Sequence, residues 1–190
     1  MLNRILEWDR ETFIYLNSLG IEDYDGFWSV ATNISSWIPL FVLFFILILL
    51  KYPLKEAVLM SLSVVALAFF IVLATDFTKE FVSRLRPNND TDINTLIRIL
   101  RSPSNYSFFS GHAASSFSIT TLVVLFLRKK LPWVWLFYLW PLIFSFSRIY
   151  IGVHYPTDII TGAAVGIGSA FLFYSMYHRI IVPYLVSGRP

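Results

Sequence analysis

Five long apolar stretches constrain the fold of this chain more than any other feature. Phe27–Leu50, Ala57–Thr75, Leu131–Ser147 and Ile159–Tyr177 contain no charged side chain, and a single histidine interrupts the fifth, Phe108–Leu127. A membrane-spanning helix needs about 20 residues, with a range of roughly 17–25. None of the five stretches alternates polar and apolar residues as the strands of a membrane barrel do. The sequence therefore predicts an all-α fold, a multi-pass transmembrane helix bundle of five to six spans.

The composition agrees with a membrane protein and excludes several soluble classes. Hydrophobic residues make up 56% of the chain and charged residues 14%, whereas soluble domains average about 45–50% and about 25%. So few charges cannot cover a soluble enzyme of 190 residues, and they also argue against a disordered tail. A net charge of only +3 argues against a nucleic-acid-binding module, so no nucleic-acid partner is expected. The absence of cysteine excludes disulfides, zinc–thiolate sites and a cysteine nucleophile.

The remaining segments complete a single predicted domain, residues 1–190. Residues 1–26 mix apolar and charged side chains, which predicts an N-terminal interfacial helix lying along the membrane; a sixth span is the alternative. Residues 27–181 would form the helix bundle. The one long polar connection is Lys79–Ser107, and within it Ile93–Leu100 has apolar residues at helical spacing. This spacing predicts a short amphipathic helix.

Three cations lie at the ends of predicted spans. Lys79, Arg86 and Arg148 reach the same membrane face if the spans alternate in direction, and Lys79 and Arg86 are two helical turns apart. Single cations at such positions often extend to lipid headgroups. Three that converge suit a multiply charged anion such as phosphate. Ser110 and Gly111 precede a predicted helix start, where backbone N–H groups favour an anion.

Two histidines and an aspartate lie at the same face as these cations. His154 and Asp158 are four residues apart, so the carboxylate can orient the imidazole and leave its other nitrogen free as a nucleophile or base. His112 comes from another span and could protonate a leaving oxygen. A zinc site made of His112, His154 and Asp158 is the alternative. Three additional cations disfavour it, because a divalent metal ion would not need them.

Taken in order, these residues resemble the three-part signature of the type 2 phosphatidic acid phosphatase superfamily. That family includes lipid phosphate phosphatases, bacterial undecaprenyl pyrophosphate and phosphatidylglycerophosphate phosphatases, glucose-6-phosphatase and soluble vanadium haloperoxidases. The resemblance covers residues 55–180 and departs at Phe109, where the family usually has proline. The matching motifs are Lys79-x6-Arg86-Pro87, Ser110-Gly111-His112 and Ser147-Arg148-x5-His154-x3-Asp158.

The resemblance implies a role for each motif residue. His154 would attack phosphorus and form a phosphohistidine, and Asp158 would orient it. His112 would protonate the leaving group and then activate water. No metal and no cofactor is implied. The phosphate oxygens would be bound by Lys79, Arg86, Arg148, Ser110 and Gly111.

We therefore expect an integral-membrane phosphatase whose partners are a lipid phosphate substrate and the surrounding membrane lipids. The expected substrate is a lipid phosphate or pyrophosphate: undecaprenyl pyrophosphate, phosphatidylglycerophosphate, phosphatidate or a lipid A phosphate. A phosphatase of a soluble phosphate ester is the first alternative. A transporter or anion channel is the second, and its basic cluster would bind an anion without cleaving it.

The distribution of charge predicts which side of the membrane the site faces. The end of the bundle opposite the site has seven basic residues and one acid, a sum of +6, and the site end has eight basic residues and eleven acids, a sum of −3. Basic residues favour the cytoplasmic side. We therefore expect a bacterial inner-membrane protein with a periplasmic, extracytoplasmic active site. The seven basic residues are Lys51, Lys55, Arg128, Lys129, Lys130, Arg179 and Arg189.

Overall fold

A computed structural model describes residues 2–183, and these fold into helices joined by loops, with no strand among them. Short 3-10 helices cover Ile34–Trp37 and Pro132–Tyr138, and a π-helical turn covers Tyr177–Ile181. The α-helices are α1 (Leu2–Ser18), α2 (Asp25–Ala31), α3 (Ile38–Lys51), α4 (Leu54–Val82), α5 (Gly111–Leu127), α6 (Leu139–Tyr150) and α7 (Pro156–Met176).

Within residues 2–183, three helical segments are long and apolar enough to cross a membrane. They are Ile34–Lys51, Leu54–Asn89 and Pro156–Ile181, and Gly111–Leu127 is a shorter apolar helix. The predicted all-helical fold with several membrane-length helices is therefore confirmed. The count of five to six spans stays a prediction.

Two of the predicted spans are not continuous α-helices. The stretch that begins at Phe27 is broken after Ala31, because Asn33 accepts a hydrogen bond from the backbone N–H of Ser35 at 3.2 Å and starts the 3-10 helix that leads into α3. The stretch that begins at Leu131 enters a 3-10 helix first and becomes α6 only at residue 139.

Helix α5 lies at the centre of the bundle, and α7 packs against it most extensively. Two glycines of α7 make this closeness possible. A Cβ on Gly162 would lie 2.6 Å from the carbonyl oxygen of Ser110, and one on Gly166 would lie 2.4 Å from that of Ala114. The glycines therefore allow the backbones of α5 and α7 to approach closely, as small residues do in membrane helix pairs.

Helix α1 packs on the bundle through one buried stripe. Asp9, Phe13 and Asn17 are each 0% exposed and follow one another at intervals of four residues, which places them on one helix face. Phe13 contacts Ile93 and Tyr155 in a small apolar cluster. The predicted helix in residues 1–26 therefore exists over α1, and its position in the membrane interface stays a prediction.

The predicted amphipathic helix over Ile93–Leu100 is wrong. This segment consists of turns and bends, because contacts with other elements replace helical hydrogen bonds. The Asn17 side chain accepts a hydrogen bond from the backbone N–H of Arg98 at 2.7 Å, and the N–H of Leu100 donates to the carbonyl of Ile151 at 3.1 Å. The buried apolar residues of this segment pack on α1 and on the turn after α6.

The turn between α3 and α4 lies beside the carboxyl-terminal end of α5. The hydroxyl of Tyr52 donates a hydrogen bond to the carbonyl of Phe126, and the ammonium of Lys130 lies 5.7 Å from the centroid of the Tyr52 ring. Of the seven basic residues expected at this end of the bundle, Arg189 lies outside the described residues. The other six flank these helix ends: Lys51, Lys55, Arg128, Lys129, Lys130 and Arg179.

Candidate active site

His154 lies in a buried cluster of polar side chains where the ends of α4, α5, α6 and α7 meet. It belongs to the turn between α6 and α7 and is 1% exposed. Its Nδ1 lies 3.3 Å from Oδ2 of Asp158, the third residue of α7. The same oxygen accepts a hydrogen bond from the backbone N–H of Tyr155 at 3.0 Å, which caps the helix and fixes the carboxylate. The two residues therefore meet as predicted, although His154 precedes the helix on which Asp158 lies.

The neighbours of His154 define which ring nitrogen carries the proton. Nη1 of Arg86 lies 3.0 Å from Nε2 of His154, and a guanidinium can only donate. Nε2 is then the acceptor, and Nδ1–H donates to Asp158. Burial, together with the positive charges of Arg86 and Arg148, lowers the pKa of the His154 imidazole well below its usual value. The ring is therefore neutral at pH 7 with a lone pair on Nε2, the form that a nucleophile requires.

Arg86 is fixed beside His154 by a residue outside the predicted motifs. Asn105 accepts from Nε of Arg86 through its backbone carbonyl at 2.8 Å and from Nη2 through its side-chain oxygen at 2.9 Å. The carbonyl of Val153 accepts from Nη1 at 2.9 Å. These bonds hold the planar guanidinium in one orientation, as phosphate binding by an arginine requires.

Lys79 and Arg86 reach the site by different routes, because the helix does not continue to Pro87. Helix α4 ends at Val82, and Ser83 has a left-handed backbone with φ of 52°. Lys79 therefore approaches from the last turn of α4, and Arg86 approaches from the segment after the helix. Lys79 is still close enough to interact electrostatically with Arg86 and Arg148, so the predicted convergence of the three cations is present.

Arg148, the third predicted cation, is buried near the carboxyl-terminal end of α6. Its Nη1 donates to Oγ1 of Thr32 at 2.6 Å, and Thr32 is itself buried just after α2. Its Nε–H finds no hydrogen-bond acceptor within the part of the chain that the structure describes. A buried guanidinium with an unused donor next to other cations is arranged to bind an anion.

Ser110 and Gly111 form the amino-terminal end of α5, as predicted. Oγ of Ser110 accepts a hydrogen bond from the backbone N–H of Ala113 at 3.4 Å and caps the helix. The other backbone N–H groups of the first turn and the helix dipole favour an anion at this end. A Cβ on Gly111 would lie 2.9 Å from Cγ2 of Thr75, so glycine allows α5 to approach α4 closely here.

His112, the second residue of α5, provides a second imidazole. Its ring packs against Phe144 with 5.0 Å between the centroids. It interacts electrostatically with His154 and Arg148, and it lines an open cavity together with Lys79. A histidine in this position can exchange protons with a group bound in the cavity.

Two charged residues outside the predicted set lie behind Asp158. Arg84 donates through Nη1 to Oδ1 of Asp158 at 2.8 Å and through Nη2 to Oδ2 of Asp9 at 2.6 Å. Asp9 also accepts from the backbone N–H of Thr157 at 2.8 Å. Neither charge has a sequence signal of its own, because Arg84 is one of several cations after α4 and Asp9 lies in a segment rich in exposed charges.

A cavity of about 280 Å³ lies at the edge of this cluster, where Lys79, Gly111 and His112 line it. Its polar wall includes Lys79 and His112, and its apolar wall includes Ile34, Val72 and Phe144. Val72 is 51% exposed on the outside of α4, so the cavity opens sideways from the bundle. A molecule that occupies it would place a polar end near Lys79 and His112, beside Asp76, and an apolar part toward Val72 and Ile34.

The geometry gives no support to the alternative of a zinc site. Among residues 2–183, no group of three or more histidine, aspartate or glutamate side chains is arranged to hold a metal ion. His112, His154 and Asp158 are close enough to interact electrostatically or by hydrogen bonding, but they do not form such a group.

Comparison with known proteins agrees with the motifs. The model of the PAP2 superfamily matches residues 56–181, and the chain therefore belongs to that family. The lipid A 4'-phosphatase of Bacteroides thetaiotaomicron is 30% identical over 188 residues, which cover 95% of this chain and 81% of the relative. The lipid A 4'-phosphatase of Porphyromonas gingivalis is 32% identical over 182 residues, which cover 91% and 74%.

The fold is also similar to a solved membrane structure. The crystal structure of the first transmembrane PAP2 type phosphatidylglycerolphosphate phosphatase from Bacillus subtilis aligns with a TM-score of 0.74 and 22% identity, covering 94% of this chain and 88% of that chain. At this identity the likeness concerns the fold alone. Together with the family match and the membrane-length helices, it identifies this chain as an integral-membrane lipid phosphatase of the PAP2 type.

Proposed function

We propose that this protein hydrolyses a phosphate monoester of a membrane lipid through a phosphohistidine on Nε2 of His154. The observation that carries the proposal is the orientation of His154, whose Nδ1 faces Asp158 and whose Nε2 faces Arg86 in the cation cluster. A phosphate bound by these cations would lie against the unprotonated nitrogen. Fixed positive charges would then stabilise the charge of the transition state.

The reaction takes two steps in this proposal. In the first, Nε2 of His154 forms a bond to phosphorus, the bond from phosphorus to the lipid oxygen breaks, and His112 gives that oxygen a proton. Asp158 stabilises the positive charge that develops on the imidazole, as the carboxylate of a serine-protease triad does. In the second step, His112 takes a proton from water, the resulting hydroxide attacks phosphorus, and the P–N bond breaks to release inorganic phosphate.

The shape of the cavity favours a lipid substrate over a soluble ester. The 280 Å³ cavity opens sideways beside Val72, and a wholly apolar cavity of about 200 Å³ lies one turn further along the same helix, where Ala68 and Val65 line it. Phe41 of α3 and Ile119 of α5 complete its wall. An acyl chain attached to the phosphate-bearing group fits a path along these apolar walls.

A lipid A-type phosphate, a monoester on a sugar that carries acyl chains, is our first candidate substrate, since two relatives are lipid A 4'-phosphatases. The test is phosphate release by the purified protein from lipid A, phosphatidylglycerophosphate, phosphatidate, undecaprenyl pyrophosphate and p-nitrophenyl phosphate. We expect lipid A to have a kcat/KM at least about tenfold above that of the soluble ester, a difference of about 1.4 kcal/mol. Preference for another lipid would replace lipid A as the proposed substrate. Preference for the soluble ester would contradict a lipid substrate, and no release of phosphate from any compound would favour a transporter.

Narrowing the apolar groove should weaken the binding of long-chain substrates selectively. Replacing Ala68 by phenylalanine places a ring in the 200 Å³ cavity, so we expect KM for the lipid to rise about tenfold, which is about 1.4 kcal/mol, while KM for p-nitrophenyl phosphate stays unchanged. Ala66→Phe is the matched control, because Ala66 is an exposed residue of the same helix outside that cavity. Equal effects of the two substitutions on both substrates would contradict a role of the groove in binding lipid chains.

We also propose that the active site faces the extracytoplasmic side of the membrane. Six basic residues flank the helix ends at the opposite end of the bundle, and basic residues favour the cytoplasm. The chain has no cysteine, so single cysteines can be labelled without background. A cysteine at exposed Thr95, on the site side, should react with a membrane-impermeant maleimide in spheroplasts, and one at exposed Lys129 should react only after lysis. The reverse pattern would place phosphate release in the cytoplasm.

A further inference from the structure

Helix α1 contributes a buried carboxylate to the back of the candidate active site. Asp9 is 0% exposed. Its Oδ2 accepts from Nη2 of Arg84 at 2.6 Å and from the hydroxyl of Thr157, and its Oδ1 accepts from the backbone N–H of Thr157 at 2.8 Å. A buried charge is costly unless it is paired and hydrogen-bonded. An apolar residue at this position would pack α1 on the bundle without the cost of burying a charge. The packing of α1 therefore does not explain the carboxylate.

Arg84 connects Asp9 with the pair that is proposed to do the chemistry. Its Nη1 donates to Oδ1 of Asp158 at 2.8 Å and to Oγ1 of Thr157 at 2.8 Å, and its guanidinium stacks 4.0 Å from the centroid of the Tyr155 ring. One positive charge is thereby shared between two carboxylates. The second oxygen of Asp158 remains available to Nδ1 of the nucleophilic histidine.

We propose that Asp9 is a positioning residue of the phosphoryl-transfer reaction, which acts through Arg84 on Asp158 and thereby on the nucleophile. The inference rests on the proposed function of His154. With Asp9 present, part of the charge of Arg84 is balanced, so Arg84 competes less with the histidine ring for the negative charge of Asp158. Without it, Arg84 would interact with Asp158 alone, draw the carboxylate toward itself and weaken the hydrogen bond to the ring.

Other contacts of α1 attach the helix without touching Arg84, and they make a control possible. The Phe13 ring packs edge-on against the Tyr155 ring with 5.4 Å between the centroids. Nδ2 of Asn17 donates to the carbonyls of Ile149 and Tyr150 at 3.0 and 3.1 Å. A substitution at Asn17 would loosen the helix and leave the pair of Asp9 and Arg84 intact. It therefore distinguishes a purely structural role of α1 from a positioning role of Asp9.

The first test compares three substitutions in α1. Asp9→Asn keeps the shape of the side chain and removes its charge, so we expect kcat for p-nitrophenyl phosphate to fall about 10–100-fold, as activity does when the groups that orient a metal-binding histidine are replaced. KM should change less than about twofold, because phosphate binding is untouched. Asn17→Ala should lower the thermal midpoint and leave kcat nearly unchanged. Glu11→Gln, at an exposed acid of the same helix, should alter neither quantity.

The second test repeats Asp9→Asn in an Arg84→Gln background. If Asp9 acts through Arg84, its loss there should reduce kcat by no more than about twofold, and it should raise the thermal midpoint because an unpaired buried carboxylate is removed. The comparison is between Arg84→Gln and the double variant, which both lack the ion pair to Asp158, so it does not require Asp9→Asn alone to fold.

The two tests distinguish failure of this inference from failure of the proposed function. Two outcomes would show that α1 has only a structural role. One is an equal loss of kcat on Asp9→Asn in both backgrounds. The other is that the effects of Asp9→Asn match those of Asn17→Ala in every measurement. Full activity of a His154→Ala variant would instead overturn the proposed function, whatever the α1 variants do.

Discussion

Replacing His154 by alanine is expected to lower kcat at least about 1000-fold, since loss of the nucleophile removes the covalent step that the rest of the site supports. His154 provides the unprotonated ring nitrogen beside Arg86, and the fixed cations that remain can bind phosphate but cannot attack it. The measurement is release of inorganic phosphate from lipid A and p-nitrophenyl phosphate by purified variants. An alkaline quench, which preserves phosphohistidine, should detect phosphorylated wild-type protein and none in the variant.

His178→Ala is the matched control for this substitution. His178 follows α7 at the end of the bundle opposite the site, where its ring contacts Tyr174 with 4.5 Å between the centroids. Its loss should leave kcat and the phosphorylated fraction unchanged. Wild-type turnover by the His154→Ala variant would exclude the phosphohistidine mechanism, and equal losses in both variants would point to a general loss of folding.

The motif residues could be predicted because each lies next to the end of a long apolar stretch. Charged and polar groups at membrane depth are unusual enough to stand out from a single sequence, and alternation of the spans then places Lys79, His112 and Arg148 at one face. The structure agrees with this convergence. Arg86 does not share a helix face with Lys79, because α4 ends before it.

The residues that fix these groups could not be predicted in the same way. Thr32 and Asn105 orient Arg148 and Arg86 from loops that are distant in sequence, and neither belongs to a periodic pattern. Asp9 lies 149 positions before the carboxylate that it supports through one arginine. Such side chains acquire a role only when tertiary contacts bury them. From composition and spacing alone, they cannot be distinguished from the other polar residues of the chain.

The segment Ile93–Leu100 shows how a local pattern can mislead. Its apolar spacing fits a helix, but the structure buries only part of this apolar set. Ile93 is buried against α1, whereas Leu96 is 63% exposed. Tertiary hydrogen bonds to Asn17 and Ile151 use the backbone groups that a helix would need.

His112→Ala is expected to affect substrates according to the leaving group. A lipid alcohol is a poor leaving group that needs a proton as the P–O bond breaks, so we expect kcat for lipid A to fall about 100–10,000-fold, the range for loss of a general acid. Nitrophenolate leaves without a proton. Attack by His154 on p-nitrophenyl phosphate should therefore continue, while hydrolysis of the phosphohistidine slows because His112 also activates water.

The resulting kinetics identify the two roles of His112 separately. The variant should release close to one equivalent of nitrophenol in a burst, then turn over slowly, and the phosphorylated protein should accumulate. Ser115→Ala, in the next turn of α5 and in the wall of the same cavity, should show no burst and nearly wild-type rates. Equal losses of His112→Ala on both substrates, with no phosphorylated protein, would assign this histidine to phosphate binding instead. If His112 binds phosphate, its loss should also raise KM, whereas loss of proton transfer alone should leave the binding of lipid A unchanged.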